Sequence, residues 1–157
     1  LNNIVIRQNK LKGNGFMPFC ALSKAKGMVI NMKEEELLKM KTWAVVGATP
    51  NEEKYGYKIY KKLKNKGYHV YPVNPNYPEI EGDKCYPNLS ELPEVPDVIN
   101  MVVAPKYGIK TVEEAAKLGV QNIWLQPGTV SDELLELAEE KGINTVQACV
   151  LVATNYV

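Results

Sequence analysis

The chain has 157 residues, 45% of them hydrophobic, which is the size and composition of one soluble globular domain with one buried core. The longest near-apolar run, CVLVA at residues 149–153, has the length of a strand and falls far short of the roughly 20 apolar residues of a membrane-spanning helix. We therefore expect no membrane span and no membrane partner.

The net charge of +1 hides an uneven distribution along the chain. Residues 1–33 carry six basic residues and no acidic one, which leaves 13 basic and 18 acidic residues, a net charge of −5, in residues 34–157. A protein that binds nucleic acid generally needs a basic face that displaces counterions from the phosphates. The composition of the body thus argues against a nucleic-acid partner. If the protein binds a phosphate, a local group of residues must hold it.

The cysteines and the single histidine exclude several kinds of site. Cys20, Cys85 and Cys149 are far apart and odd in number, so they suggest neither a disulfide framework nor a zinc pattern. A reducing, cytoplasmic setting is the default for such a chain. His69 is the only histidine, which excludes a histidine metal cluster, and no metal site is predicted.

Residues 1–32 show no sustained helical or strand period. Their lack of acids is typical of a basic targeting segment, but they contain no long apolar core. We expect residues 1–32 to be a basic extension, either flexible or upstream of the true start, and residues 33–157 to form the folded domain. A short helix is predicted at residues 33–40, with its acids in the first turn, where the helix dipole favours them.

From residue 42 onward, segments with strand patterns alternate with segments of helical spacing. Strands are predicted at residues 42–47, 69–75, 97–105, 121–128 and 143–152. Helices are predicted at residues 57–67, 108–119 and 131–142, the last with Ser131 as its N-cap. An irregular, proline-rich crossover joins the second and third strands. The predicted fold class is therefore α/β, a doubly wound parallel sheet of five strands with helices on both faces.

In such a sheet the ligand crevice lies beyond the carboxyl ends of the strands. Gly47 permits a sharp turn after the first strand, and Ala48 and Thr49 are small enough for backbone N–H groups to approach an anion. The loop reads GATPNEEKYG and lacks the second and third glycines of the dinucleotide pattern G-x-G-x-x-G. The second strand ends at Asn74 and Pro75 instead of the acid that usually holds the ribose of a nicotinamide cofactor. An ordinary dehydrogenase is therefore disfavoured.

Several spaced motifs together resemble a known family. They are VVGAT with Lys54 and Tyr55, GYHVYPVNP, GDKCYPNLSELPEVPDVINMVVAP, GVQNIWLQPG and Cys149. This set resembles the small single-domain CoA-binding proteins of the succinyl-CoA synthetase alpha-subunit type over residues 42–152. The resemblance implies a Rossmann-like fold, CoA or acyl-CoA as the cofactor, and no established reaction.

The resemblance also implies cofactor-binding residues after each strand. Those assigned to the phosphates and their loop are Gly47, Ala48, Thr49, Lys54 and Tyr55; those at the adenosine end are Val73, Asn74 and Pro75. Those along the adenine and pantetheine path are Val103, Ala104 and Pro105; those on the far side of the crevice are Gln126, Pro127 and Gly128. Cys149 is added as a thiol near the pantetheine end, although a buried structural role is the commoner fate of cysteine. No catalytic residue is assigned.

Two other functions stay open from the sequence. One is an NAD(P)-dependent oxidoreductase with a degenerate dinucleotide turn, and the other is a regulatory or interaction subunit. Either a homo-oligomer or a partner subunit is compatible with these functions. The lysines of the first predicted long helix are expected to form a solvated face, since they recur on the side away from Ile59 and Leu63. They are Lys58, Lys61, Lys62, Lys64 and Lys66.

Overall fold

The computed structural model describes residues 32–157, so the predicted basic extension lies, but for residue 32, outside the described part. Within that part the strands are β1 (Thr42–Val46), β2 (His69–Val73), β3 (Glu79–Ile80), β4 (Asp83–Lys84), β5 (Val98–Met101), β6 (Asn122–Leu125) and β7 (Asn144–Gln147). The α-helices are α1 (Met32–Leu38), α2 (Tyr55–Asn65), α3 (Pro105–Leu118), α4 (Asp132–Glu140) and α5 (Val150–Ala153). Short 3-10 helices cover Leu89–Glu91 and Thr154–Tyr156.

The main sheet has five strands in the order β2-β1-β5-β6-β7, and every pair of neighbours is parallel. This confirms the predicted α/β fold. The chain moves outward from β1 to β2 and then returns to the other side of β1 to form β5. The strand order therefore reverses between β1 and β5, which is where a sheet of this kind opens its ligand crevice.

Alternate residues of the strands face two separate layers of helices. One face carries Ala44, Ile99 and Ile123 in a core cluster that includes buried residues of α3 and α4. The other face carries Trp43 and Trp124, whose ring centroids lie 5.8 Å apart. Helix α2 contacts β1, β2 and α5. It lies on this second side of the sheet, because the sheet grows in one direction from β1 to β2 and in the other direction from β5 to β6. Right-handed crossovers in opposite directions place their helices on opposite faces.

The prediction for the last strand was wrong beyond Gln147. The strand β7 ends there, and the apolar run at its C-terminal side forms helix α5. Val150 and Ala153 are buried whereas Val152 is 53% exposed, which is a helical spacing. A short run of uniformly apolar residues fits a strand and a helix equally well, so its composition could not decide between them.

Two helices begin earlier than predicted. Helix α2 starts at Tyr55 instead of residue 57, and α3 starts at Pro105 instead of residue 108. Proline suits the first turn of a helix because its missing N–H would have no partner there. The third predicted strand, at residues 97–105, accordingly stops at Met101.

The crossover between β2 and β5 contains a hairpin that the sequence reading left irregular. Strands β3 and β4 are joined by Glu81 and Gly82, with φ angles of 56° and 80°, as in a tight two-residue hairpin turn. Lys61 pairs with Glu81, and Lys64 pairs with Asp83.

The lysine face of α2 is solvent-accessible as expected, but it also makes contacts that the sequence did not predict. Besides the two ion pairs, Lys62 donates a hydrogen bond to Asn155 Oδ1 at 2.8 Å. Lys66 donates one to the carbonyl of Val157, also at 2.8 Å. These lysines fasten α2 to the hairpin and to the C-terminal turn.

Candidate cofactor-binding site

A cavity of about 720 Å³ opens at the carboxyl ends of the parallel strands. Residues following each strand of the main sheet line it. After β1 they are Gly47, Thr49, Asn51, Lys54, Tyr55 and Gly56; after β2, Asn74 and Tyr77; after β5, Val102, Val103 and Ala104; after β6, Gln126, Pro127, Gly128 and Thr129; after β7, Cys149. Lys54 is the one formally charged side chain among these lining residues, so the site favours an anion.

The exit from β1 brings the chain very close to the end of β5. Gly47 has a φ of +103°, which residues with a side chain rarely adopt, and its N–H donates to the Val73 carbonyl at 2.9 Å. A Cβ at this position would lie 2.9 Å from Val103 Cγ1. A glycine is therefore needed both for the turn and for the contact between the two strand ends.

Gly56, in the first turn of α2, allows the helix to start directly against this turn. A Cβ on Gly56 would lie only 2.2 Å from the carbonyl oxygen of Gly47. Close packing of helix on strand is the role of the third glycine in the dinucleotide pattern. Sequence reasoning left Gly56 in the loop, because the loop is longer than the pattern allows and the helix was predicted to start at Tyr57.

The loop between β1 and α2 is held by local hydrogen bonds. Thr49 Oγ1 accepts from the Asn51 N–H at 3.2 Å, and Asn51 Oδ1 accepts from the Glu53 N–H at 2.9 Å. Lys54 is the N-cap of α2, but its side chain makes no capping hydrogen bond. The first N–H groups of an uncapped helix and the positive end of its dipole favour an anion, and Lys54 adds a full positive charge beside them.

Asn74 fastens the end of β2 to the same loop. Its Nδ2 donates to the Ala48 carbonyl at 2.8 Å, and its Oδ1 accepts from the Asn76 N–H at 2.9 Å. Both polar atoms of the side chain are therefore engaged within the protein. This position carries no carboxylate for a ribose.

A buried polar contact lies beneath the side of the cavity that follows β6. Gln126, only 4% exposed, donates from Nε2 to Asn100 Oδ1 at 2.6 Å and accepts at Oε1 from the Val150 N–H at 3.3 Å. Its carbonyl accepts from the Thr129 hydroxyl at 2.7 Å. The buried Nδ2 of Asn100 has no hydrogen-bond partner among the residues described. Gln126 thus joins β5, β6 and the start of α5 beneath the ligand space.

The two described cysteines differ in their surroundings. Cys149 is the half-buried N-cap of α5 and lines the cavity. Cys85 is buried beside the carbonyl of Asn74, and burial raises the pKa of its thiol. Of these two cysteines, only Cys149 lies where its thiol can contact a ligand in the cavity.

Most of the predicted site residues lie around this one cavity. They are Gly47, Thr49, Lys54, Tyr55, Asn74, Val103, Ala104, Gln126, Pro127, Gly128 and Cys149. Four others do not line it. Ala48 and Val73 are buried at 0% and 3% exposure, Pro105 begins α3, and Pro75 lies exposed in the loop after β2.

Sequence reasoning missed several lining residues, namely Asn51, Gly56, Tyr77, Val102 and Thr129. Asn51, Val102 and Thr129 lie within a few residues of a predicted strand end, and Gly56 directly precedes a predicted helix start. Extending each motif by one turn would have included these four. Tyr77 lies in the crossover and carried no comparable signal.

No helix within residues 32–157 is long and apolar enough to cross a membrane.

Comparisons with known proteins identify the family of this chain. A family model described as "CoA binding domain" matches residues 41–155. Acetate–CoA ligase (ADP-forming) I of Archaeoglobus fulgidus is 37% identical over 122 residues, which are 71% of this chain and 18% of the ligase. The chain thus spans about a fifth of the length of that relative.

Small proteins match over nearly their whole length. The uncharacterized protein YneT of Bacillus subtilis is 28% identical over 121 residues, which are 76% of this chain and 90% of YneT. The solved structure of a conserved hypothetical protein from Pyrococcus furiosus has a TM-score of 0.69 and 44% identity, and the match covers 72% of this chain and 98% of that one.

Proposed function

The chain belongs to the CoA-binding domain family, and on that premise we propose that it binds CoA or an acyl-CoA in the cavity at the carboxyl ends of its sheet. The observation that carries the proposal is the position of Lys54 and the start of α2 at this cavity, where the strand order reverses. The free thiols of Cys85 and Cys149 suit a reducing, cytoplasmic setting.

The phosphates of the cofactor would lie over the turn from Gly47 to Gly56. Short backbone-exposing turns supply oriented N–H donors, and a lysine supplies a mobile positive charge for a pyrophosphate. Because Gly56 lets the helix start lie against the strand exit, the first residues of α2 and Lys54 border the same cavity. The pantetheine arm would then run across the end of β5 toward Gln126 and Cys149.

The same geometry favours CoA over a nicotinamide cofactor. A nicotinamide site usually holds the adenosine ribose with an acid at the end of β2. Asn74 occupies that end, and its side chain bonds the Ala48 carbonyl and the Asn76 N–H. No acidic residue is among those that line the cavity.

We assign a binding role and no reaction. The ligase of Archaeoglobus fulgidus is named for acetate and CoA, and this chain matches 18% of it. The cavity lining contains neither a histidine nor a carboxylate that could act as a general acid or base. A binding module that shares the cofactor of its relatives accounts for these features.

Titration calorimetry with CoA tests the proposal. Lys54→Met should weaken CoA binding roughly tenfold, since it removes a charge-assisted contact to phosphate. The matched control is Lys117→Met, which removes an exposed lysine from the last turn of α3, at the end away from the cavity. The proposal would be contradicted if the unaltered protein gave no heat of CoA binding, or if both variants lost the same amount of CoA affinity.

A further inference from the structure

Two tyrosines line the cavity from neighbouring strand ends. Tyr55 is the first residue of α2, following β1, and is 63% exposed. Tyr77 lies in the loop after β2 and is 36% exposed. Strands β1 and β2 are adjacent in the sheet, so both aromatic side chains belong to the same side of the cavity.

The fold itself makes little use of these two rings. Three other tyrosines donate from the hydroxyl group to a carboxylate: Tyr57 to Glu81 at 2.9 Å, Tyr71 to Glu94 at 2.6 Å, and Tyr60 to Asp83. Within residues 32–157, the hydroxyl groups of Tyr55 and Tyr77 have no hydrogen-bond partner, and neither ring contacts another aromatic ring. Large aromatic surface left exposed in a cavity is the exception that calls for an explanation by ligand binding.

A cation lies beside one of the rings. The ammonium group of Lys58 lies 5.7 Å from the centroid of the Tyr55 ring, within the range of a cation–π contact. Lys58 is three residues further along α2 and is not among the residues that line the cavity. The Tyr55 ring therefore has a cationic neighbour that lies outside the cavity lining.

The direction of the cofactor follows from the order of the strands. In a sheet whose order reverses between β1 and β5, a nucleotide lies across the reversal, with its phosphates at the first helix start. Lys54 and Tyr55 adjoin that helix start, and Tyr77 lies beyond it on the β2 side, away from Gln126 and Cys149. The part of CoA that lies on the β2 side is then the adenosine half.

On this basis, which rests on the proposed function, we propose that Tyr55 and Tyr77 form the contact surface for the adenine base of CoA. The flat base packs on the exposed rings, and the two tyrosines make the site selective for ligands that carry an aromatic base. A bare phosphopantetheine reaches the phosphate and thiol ends of the site but leaves both rings uncovered.

The test compares CoA with 4′-phosphopantetheine by titration calorimetry. Tyr55→Ala and Tyr77→Ala should each weaken CoA binding roughly tenfold, because stacking on an aromatic side chain contributes about that much per base. Binding of phosphopantetheine should be unchanged, and Tyr55→Phe and Tyr77→Phe should bind CoA as the parent does. Tyr107→Ala is the matched control, since Tyr107 is 57% exposed but does not line the cavity.

The outcomes separate this inference from the proposed function. Two results would overturn the adenine assignment: CoA binding that is indifferent to both alanine substitutions, or an equal loss of affinity for CoA and for phosphopantetheine. Neither result would contradict the proposed function, because the unaltered protein would still bind CoA. Failure of the unaltered protein to bind CoA would overturn the proposed function and this inference with it.

Discussion

At the scale of single residues, the site depends on a contact between two glycines. Gly47 turns the chain at the end of β1, and Gly56 lets the first turn of α2 rest against the Gly47 carbonyl. The contact fixes where the N–H groups of the helix start point, and so where an anion can bind. Since these are backbone atoms, no rotation of a side chain can relieve a clash there.

Gly56→Ala should destabilise the protein by about 2 kcal/mol, because the added Cβ would lie 2.2 Å from a backbone oxygen. Gly108→Ala is the matched comparison, since Gly108 is also buried in a helix. Its added Cβ would meet Leu134 Cδ1 and Met101 Sδ, at 2.6 and 2.7 Å, which are the movable ends of side chains. Because side-chain ends can move aside and a backbone carbonyl cannot, Gly108→Ala should cost less than Gly56→Ala.

Urea unfolding of the two variants and the parent measures the difference. Gly56→Ala should also weaken CoA binding, whereas Gly108→Ala should not. A larger loss of stability for Gly108→Ala, or a Gly56→Ala protein as stable as the parent, would show that the glycine contact does not position α2.

At the scale of elements, helix α2 is fastened to the β3–β4 hairpin by carboxylates. A hydrogen bond from Lys61 holds the pKa of Glu81 below its ordinary value, and one from Tyr57 acts in the same direction. Burial of Asp83 opposes ionisation, but hydrogen bonds from Lys64 and Tyr60 outweigh it and lower the pKa of Asp83. The hairpin belongs to the crossover that also carries Tyr77.

This attachment should weaken in acid. A carboxylate whose pKa is lower in the folded protein contributes stability above its unfolded pKa and loses it as the pH falls through the folded value. The unfolded values are near 4.5 for Glu81 and 3.8 for Asp83, so the loss begins below about pH 5. The free energy of unfolding should therefore fall between pH 6 and pH 3 more steeply in the parent than in a Glu81→Gln, Asp83→Asn double variant.

Urea unfolding at several pH values checks this expectation. The double variant keeps the shape of both side chains and removes only their ability to ionise. The same pH dependence in parent and variant would mean that the two carboxylates do not stabilise the folded state.

The helices and strands differ in how well the sequence predicts them. The alternation of apolar strands with helices predicted the five-stranded sheet and placed its carboxyl ends, because that alternation records burial on both faces. It could not distinguish helix from strand at Val150–Ala153, where every residue is apolar. Tyr77 could not be predicted as a site residue either, since it lies in the crossover between β2 and the hairpin, which the sequence reading left irregular.

At the scale of the whole molecule, charge and topology point to the same kind of ligand. Residues 34–157 carry a net charge of −5, yet the cavity is lined by one lysine and no acid. We expect such a body to repel long polyanions such as nucleic acids, and the proposed local site to accept a small anion. The reversal of strand order between β1 and β5 places that site where the segments after all five strands of the main sheet meet.

Native mass spectrometry of ligand-stripped protein with equimolar CoA and NAD tests the central claim most directly. A reductant in the buffer excludes a disulfide between Cys149 and CoA, so that only reversible binding is counted. We predict one CoA adduct per chain, undiminished by NAD, because Asn74 offers no carboxylate to a nicotinamide cofactor. An adduct of NAD in preference to CoA, or no adduct of either cofactor, would contradict the claim.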